Sequence, residues 1–251
     1  MTKRIAIAGK GGTGKTTLAA LLTRYLVEEK KGSSILAVDA DANANLNEAL
    51  GLEVTQTIAT ILEDTKDPKA VPTGMTKDIF IEYRLAQAMV EEDAYDLVVM
   101  GNPQGPGCYC YPNDLLKNYL EKLSKNYDYV VIDNEAGLEH LSRRLLPSVD
   151  LLLVTSDSTA RGVRSAARVK EIVENVQIAV SKMGLIIGRS QEGVADQLQE
   201  EINKTGLELF GEVPNDALVA EYDLKGQPLL KLPDDSEAVK ATKKIFDSLS
   251  V

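Results

Sequence analysis

The strongest constraint on this chain is a run of nine residues near its start, Gly9-Lys10-Gly11-Gly12-Thr13-Gly14-Lys15-Thr16-Thr17. A glycine, four residues and then Gly-Lys-Thr is a phosphate-binding spacing. Backbone N–H groups line a tight turn, Lys15 reaches the outer phosphates, and the Thr16 hydroxyl faces Mg²⁺. The flanks agree with it. Arg4-Ile5-Ala6-Ile7-Ala8 is a short apolar run, suited to a buried parallel strand. From Thr16 to Lys30, Leu18, Leu21, Leu22 and Leu26 recur at helical spacing. Strand, glycine turn and helix in that order make an anion site, because the first amides of a helix have no partner within it.

Further strand-like runs lie at Ile35–Val38, Leu97–Met100, Tyr129–Ile132, Leu151–Val154, Leu185–Ile187 and, more weakly, Leu207–Phe210, with helical stretches between them. The alternation predicts an α/β fold with an open, mostly parallel sheet of about seven or eight strands and helices on both faces. Thr55 to Tyr95, with Pro68, Pro72 and Gly74, reads as a helical and irregular connection. Ser236 to Leu249 reads as a closing surface helix capped by Ser236. Aromatic residues are only 5% and tryptophan is absent, so the core must be aliphatic. The formal net charge of −10 disfavours nonspecific binding to nucleic acid or an anionic membrane. The chain has neither an apolar run of spanning length nor a long apolar segment at its start, and the expected location is cytoplasmic. Its two cysteines, Cys108 and Cys110, are too close in sequence to staple a fold; they read as a metal or redox pair in a reducing compartment.

Lys10 is not required by an ordinary phosphate loop. It is either a solvated loop lysine or a second functional one. The segment resembles the deviant Walker A family, KGGxGKT[ST], which includes cell-division and plasmid-partition ATPases, nitrogenase iron protein and metallocentre-maturation ATPases. The resemblance implies a single P-loop NTPase domain over residues 1–251, with ATP or ADP as nucleotide. It also implies a nucleotide-sandwiched homodimer in which Lys10 reaches the nucleotide of the other protomer and acts beside Lys15 in catalysis.

The second apolar run ends in Asp39-Ala40-Asp41-Ala42-Asn43, which is either a solvated turn or an acidic edge facing the phosphates. By resemblance this is switch I, with Asp39 on a Mg²⁺-bound water and Asp41 positioning the attacking water. The run Tyr129–Ile132 ends in Asp133. Apolar residues closed by one aspartate describe Walker B, whose carboxylate holds Mg²⁺ through water or through Thr16. By the same resemblance switch II follows as Asn134-Glu135-Ala136-Gly137-Leu138-Glu139-His140-Leu141, with Gly137 permitting unusual backbone angles. His140, the only histidine, reads as a packing or capping residue. The family often reads adenine with an asparagine where this chain has Gly188-Arg189. Backbone contacts from Gly188, Arg189 and Val213-Pro214-Asn215-Asp216 are the expected substitute.

Cys108 and Cys110 lie in Gly105-Pro106-Gly107-Cys108-Tyr109-Cys110-Tyr111-Pro112. In an extended segment residues two apart share a side, so the two thiolates form half of a four-sulfur site that a dimer would complete. Tetrahedral sulfur suits Zn²⁺ and a planar set suits Ni²⁺. Incidental thiols and a dithiol redox pair are the competing readings. The deviant Walker A loop, the Cys-x-Cys and Asp133-Asn134-Glu135-Ala136-Gly137-Leu138-Glu139-His140 together resemble the CooC-type ATPases, maturation factors for nickel carbon monoxide dehydrogenase, with the AcsF type serving acetyl-CoA synthase. That resemblance implies Ni²⁺ as cargo, apo carbon monoxide dehydrogenase or acetyl-CoA synthase as client, and slow, partner-gated hydrolysis. Two other classes remain open: an iron–sulfur scaffold or electron donor, and a partition- or division-type spatial organiser.

Overall fold

Strand β1 (Lys3–Gly9) sits inside one eight-stranded sheet and alternates its side chains between two aliphatic layers. Ile5 and Ile7 pack on helix α1 (Lys15–Glu29), whereas Ala6 and Ala8 face the opposite layer. The computed structural model describes residues 2–65, 70–102, 110–135, 148–191 and 193–251. The other strands are β2 (Ile35–Ala40), β3 (Val90–Glu91), β4 (Asp96–Val99), β5 (Tyr129–Asn134), β6 (Ser148–Ser156), β7 (Ala179–Ser190) and β8 (Glu208–Pro214). Their order across the sheet is β3-β4-β2-β5-β1-β6-β7-β8, parallel throughout except for β3 on β4.

The described helices after α1 are α2 (Leu46–Leu50), α3 (Ile58–Asp64), α4 (Lys77–Gln87), α5 (Cys110–Leu123), α6 (Ala160–Asn175), α7 (Val194–Gln197), α8 (Gln199–Thr205), α9 (Ala217–Leu224) and α10 (Glu237–Ser248). One layer buries α3, α4 and α6, the last through Val163, Ala166, Val169 and Val173. The other buries α1, α2 and α10. Aliphatic side chains fill both layers, as the composition requires. None of the described helices is long and apolar enough to cross a membrane.

Several boundaries differ from the sequence reading. The connection Thr55 to Tyr95 resolves into α3, α4 and the short antiparallel edge strand β3, whose two residues are too few for any periodicity to register. Strand β7 runs from Ala179, well before Leu185, where pairing with β6 holds a mixed, largely unburied stretch that has no continuous apolar run. Helix α1 begins one residue earlier than expected and stops at Glu29, with Lys30 as its C-cap.

The chain moves outward from β1 to β2 and β4, returns to insert β5 between β1 and β2, then continues on the other side of β1 through β6 to β8. A crevice for ligands opens where such an order reverses, at the carboxyl ends of the strands. The closing helix α10 forms as expected, with Ser236 Oγ accepting from Val239 N at 3.3 Å. Its Phe246 is fully buried, with its ring 5.3 Å from that of Tyr25 on α1. Phe246→Ala should therefore cost about 3–5 kcal/mol in urea unfolding; a loss below about 1 kcal/mol would show that α10 does not seal this layer.

Candidate functional site

The loop from Gly9 to Gly14 leaves β1 at the reversal point and delivers α1 with its N-terminus open. Gly14, the N-cap, is left-handed at φ 88° and supplies no side-chain cap, and the first turn holds no acidic residue. The leading amides of α1 thus remain available to an anion. Lys15 is buried, and its Nζ folds back to donate to the Lys10 carbonyl at 3.4 Å. Burial lowers its pKa, against the pull of Asp133, Asp41 and Glu135. A bound phosphate would favour its charged form.

Two neighbouring strand ends fix the loop. Thr13 Oγ1 donates to the Lys10 carbonyl at 2.8 Å and shares a 2.7 Å hydrogen bond with Thr155 Oγ1 at the end of β6. Gly9 and Gly188 are glycines for lack of room. A Cβ at Gly9 would lie 2.4 Å from Thr155 Oγ1, and one at Gly188 would lie 2.7 Å from the Thr13 carbonyl oxygen. Gly188 therefore marks where β7 touches the phosphate loop, and an asparagine there would collide with it.

Parallel register sets Asp39 of β2 directly opposite Asp133 of β5. Thr16 Oγ1 donates to Asp133 Oδ2 at 2.6 Å, while Asp133 Oδ1 is buried without a hydrogen-bond partner among the described residues. Burial raises Asp133 from 3.8 to about 7, with the facing Asp39 adding to the rise while the Thr16 hydroxyl and Lys15 oppose it. Burial likewise raises Asp39 to about 6, against backbone hydrogen bonds that favour its charged form. A hydroxyl, an orphaned carboxylate oxygen and a second carboxylate, all desolvated, fit a hard divalent cation such as Mg²⁺. Both oxygens of Asp39 also accept backbone bonds, Oδ1 from Asp41 N at 3.0 Å and Oδ2 from Leu46 N at 2.8 Å. Asp39 is thus the brace of the turn leading into α2, a role its position in the sequence does not reveal. Asp41 Oδ1 accepts from the Asn43 backbone at 2.8 Å and from its amide at 3.0 Å.

Beyond the loop, a cavity of about 460 Å³ is lined by Thr13, Gly14 and Thr17 together with Gly188, Arg189 and the segment from Val213 to Asp216. These segments are distant in sequence, and the β7–β8 pairing brings them together. Arg189 has φ 51°, the left-handed region that non-glycine residues rarely adopt. The Asp216 carboxylate is committed to the wall: Oδ1 accepts from Leu218 N at 2.8 Å, and Oδ2 from Ser236 Oγ at 2.6 Å and Ala238 N at 3.0 Å. Asn215 is exposed at the rim.

The cysteine pair is less well served. Cys110 is the first residue of α5, so the same-side argument for an extended segment does not apply to it, and Cys108 lies outside the described residues. Gly137 and His140 of switch II also lie outside them. Among the described residues no group of three or more His, Cys, Asp or Glu side chains is arranged to hold a metal. Two polar residues escaped the sequence reading: Thr155, and the buried Asn134, whose Nδ2 donates to the Ile7 carbonyl at 2.8 Å and ties β5 to β1.

The family model described as an AAA domain matches residues 2–185. The chain belongs to this family. It is 40% identical over 248 residues to an uncharacterized ATP-binding protein of Methanocaldococcus jannaschii, covering 98% of this chain and 97% of that protein. It is 28% identical over 246 residues to the carbon monoxide dehydrogenase accessory protein CooC of Rhodospirillum rubrum, covering 89% and 88%. In fold it is similar to the septum site-determining protein MinD of Pyrococcus horikoshii complexed with Mg-ADP, with a TM-score of 0.73, 23% identity and coverage of 99% and 96%. The architecture is that of a MinD/ParA-type P-loop ATPase.

The raised carboxylates give a pH signature. An acid whose folded pKa lies above its unfolded value stabilises the fold below 3.8 and loses that contribution as pH climbs through the folded value, here about 7 for Asp133. Without Mg²⁺, Asp133→Asn should gain stability relative to wild type from about pH 5 to about pH 8, by roughly 1–3 kcal/mol. A pH-independent difference in thermal unfolding would refute the buried-charge account.

Proposed function

We propose that this chain is a single ATPase domain that binds Mg²⁺·ATP and hydrolyses it as a nucleotide-sandwiched homodimer. The observation that carries the reading is the convergence of an uncapped helix N-terminus, Lys15 and the Thr16–Asp133 pair on one crevice. The α1 amides and Lys15 would cradle the β- and γ-phosphates. Thr16, Asp133 and, through water, Asp39 would hold Mg²⁺, which when bound neutralises charge on the phosphates. Asp41 would orient the attacking water. Lys10 would reach the nucleotide of the partner protomer, and Gly137 would carry the switch II response. The cavity bounded by Gly188, Arg189, Val213, Pro214 and Asn215 would take the adenosine, with Asp216 shaping its wall.

The cargo in this reading is Ni²⁺, held by Cys108 and Cys110 of both protomers and delivered to apo carbon monoxide dehydrogenase or acetyl-CoA synthase. Supporting it are the Cys-x-Cys and the similarity to CooC. The pair also follows β4, which lies beside β2 and so shares the carboxyl edge on which Asp39 sits. Hydrolysis would act as a switch: ATP closes the dimer, product release opens it, and the client gates turnover. Zn²⁺ would compete for the same sulfurs. The fold likeness to MinD favours a second reading, a spatial organiser, which ATP-dependent cosedimentation with lipid vesicles would support.

Cys108→Ala should abolish Ni²⁺ binding, measured as metal per protomer with ADP and with ATP, while nucleotide affinity stays within about twofold of wild type. Equal metal content in mutant and wild type would sink the metallochaperone reading, and an anaerobic absorption band of a cluster would replace it with an iron–sulfur one. Gly188→Ala should weaken labelled-ADP binding by at least about tenfold, since its Cβ would press on the Thr13 carbonyl. Unchanged affinity would show that β7 does not constrain the loop.

A further inference from the structure

Helix α6 carries Arg161, Arg164 and Arg168 at spacings of three and four, so all three share one exposed face. With Lys204 of α8 and Lys10 of the phosphate loop they line an open groove of about 530 Å³, which also holds Glu171 and Glu201. Glu201 pairs with Arg164 at 2.9 Å and with Lys204 at 2.8 Å. Arg161 and Arg168 have no ion-pair partner among the described residues. Five cationic residues against two carboxylates is a marked local excess on a chain of net charge −10. Nucleotide binding explains only Lys10.

The groove is joined to the phosphate loop in two ways. Lys10 belongs to both. The β6 end that holds the loop, through Thr155 and Thr13, also leads straight into α6. Asp157 accepts from the Thr159 backbone at 3.1 Å and from its hydroxyl at 2.5 Å, and Thr159 Oγ1 caps α6 by accepting from Gly162 N at 3.0 Å. The strand end that positions the loop therefore also positions Arg161.

We propose that this groove is a docking site for an acidic segment of a protein partner, and that Lys10 makes docking depend on the nucleotide state. The occupant follows from geometry and charge. Arg161 to Arg168 extend over about 10 Å along the helix, a line of cations rather than a cluster converging on one phosphate. A long nucleic acid would run beyond the groove over a chain of net charge −10, whereas a short acidic segment need not. The groove stands independently of the function proposed above; its nucleotide dependence rests on that reading.

Fluorescein-labelled deca-glutamate, titrated by anisotropy in about 50 mM salt, should bind wild type. Affinity should fall by at least about tenfold in Arg161→Glu/Arg168→Glu and stay within about twofold of wild type in Lys240→Glu/Lys244→Glu on α10. Equal binding by Arg161→Glu/Arg168→Glu and wild type overturns the groove, as does tighter binding of a single-stranded DNA of equal length. Peptide affinity should differ by at least about threefold between ADP and a non-hydrolysable ATP analogue, and Lys10→Ala should remove that difference. Equal peptide affinity in both nucleotide states overturns the coupling. Labelled ADP that fails to bind wild type overturns the nucleotide reading and the coupling with it, but leaves the groove in place.

Discussion

The alignment of β2 with β5 places two aspartates side by side at the buried edge of the sheet, and much of the site is organised around that cost. Asp39 and Asp133 are register partners, burial raises the pKa of both, and Asp39 adds to the rise at Asp133. The chain relieves Asp39 with backbone amides from the turn into α2 and, among the described residues, leaves one oxygen of Asp133 without a hydrogen-bond partner. Such an arrangement is poorly balanced without a cation and well balanced with one. The same carboxylate that would hold the metal also receives the Thr16 hydroxyl, so helix α1, the phosphate loop and strand β5 meet at one electrostatic point.

Around that point the loop is held by contact rather than by its own sequence. Thr13 reaches Thr155 on β6, and β7 presses Gly188 against the Thr13 carbonyl. That close approach leaves no room for a side chain at residue 188. Beside Gly188, Arg189 takes a left-handed backbone, and Asn215 is exposed. Because β6 continues into α6, whatever moves the loop also bears on the basic face of that helix. A chain of net charge −10 thus carries a cationic groove where a partner could sense the nucleotide.

Parallel strands were legible wherever burial on both faces made them continuous apolar runs, as in Ile35–Val38 and Leu151–Val154. They were illegible where pairing alone made the strand, as in the exposed start of β7 and the two residues of β3. The loop residues Gly9 to Thr17 could be named at once, since a phosphate cradle needs glycines, a lysine and a hydroxyl at fixed spacing. Thr155, Asn134 and the bracing role of Asp39 could not, because each depends on a partner more than six residues or a whole strand away. At Cys110 a spacing argument built on extended chain meets a helix that begins at that residue, while Cys108 lies outside the described residues.

By itself the sequence determined the α/β alternation, the aliphatic core and the phosphate loop, because these follow from local periodicity and from residue types at short spacing. The tertiary structure decided which carboxylates face each other, why residue 188 has no side chain, that Asp216 supports a wall, and that five cations from three segments share a groove. Those are matters of register and close approach between segments far apart in the chain, and no local pattern encodes them.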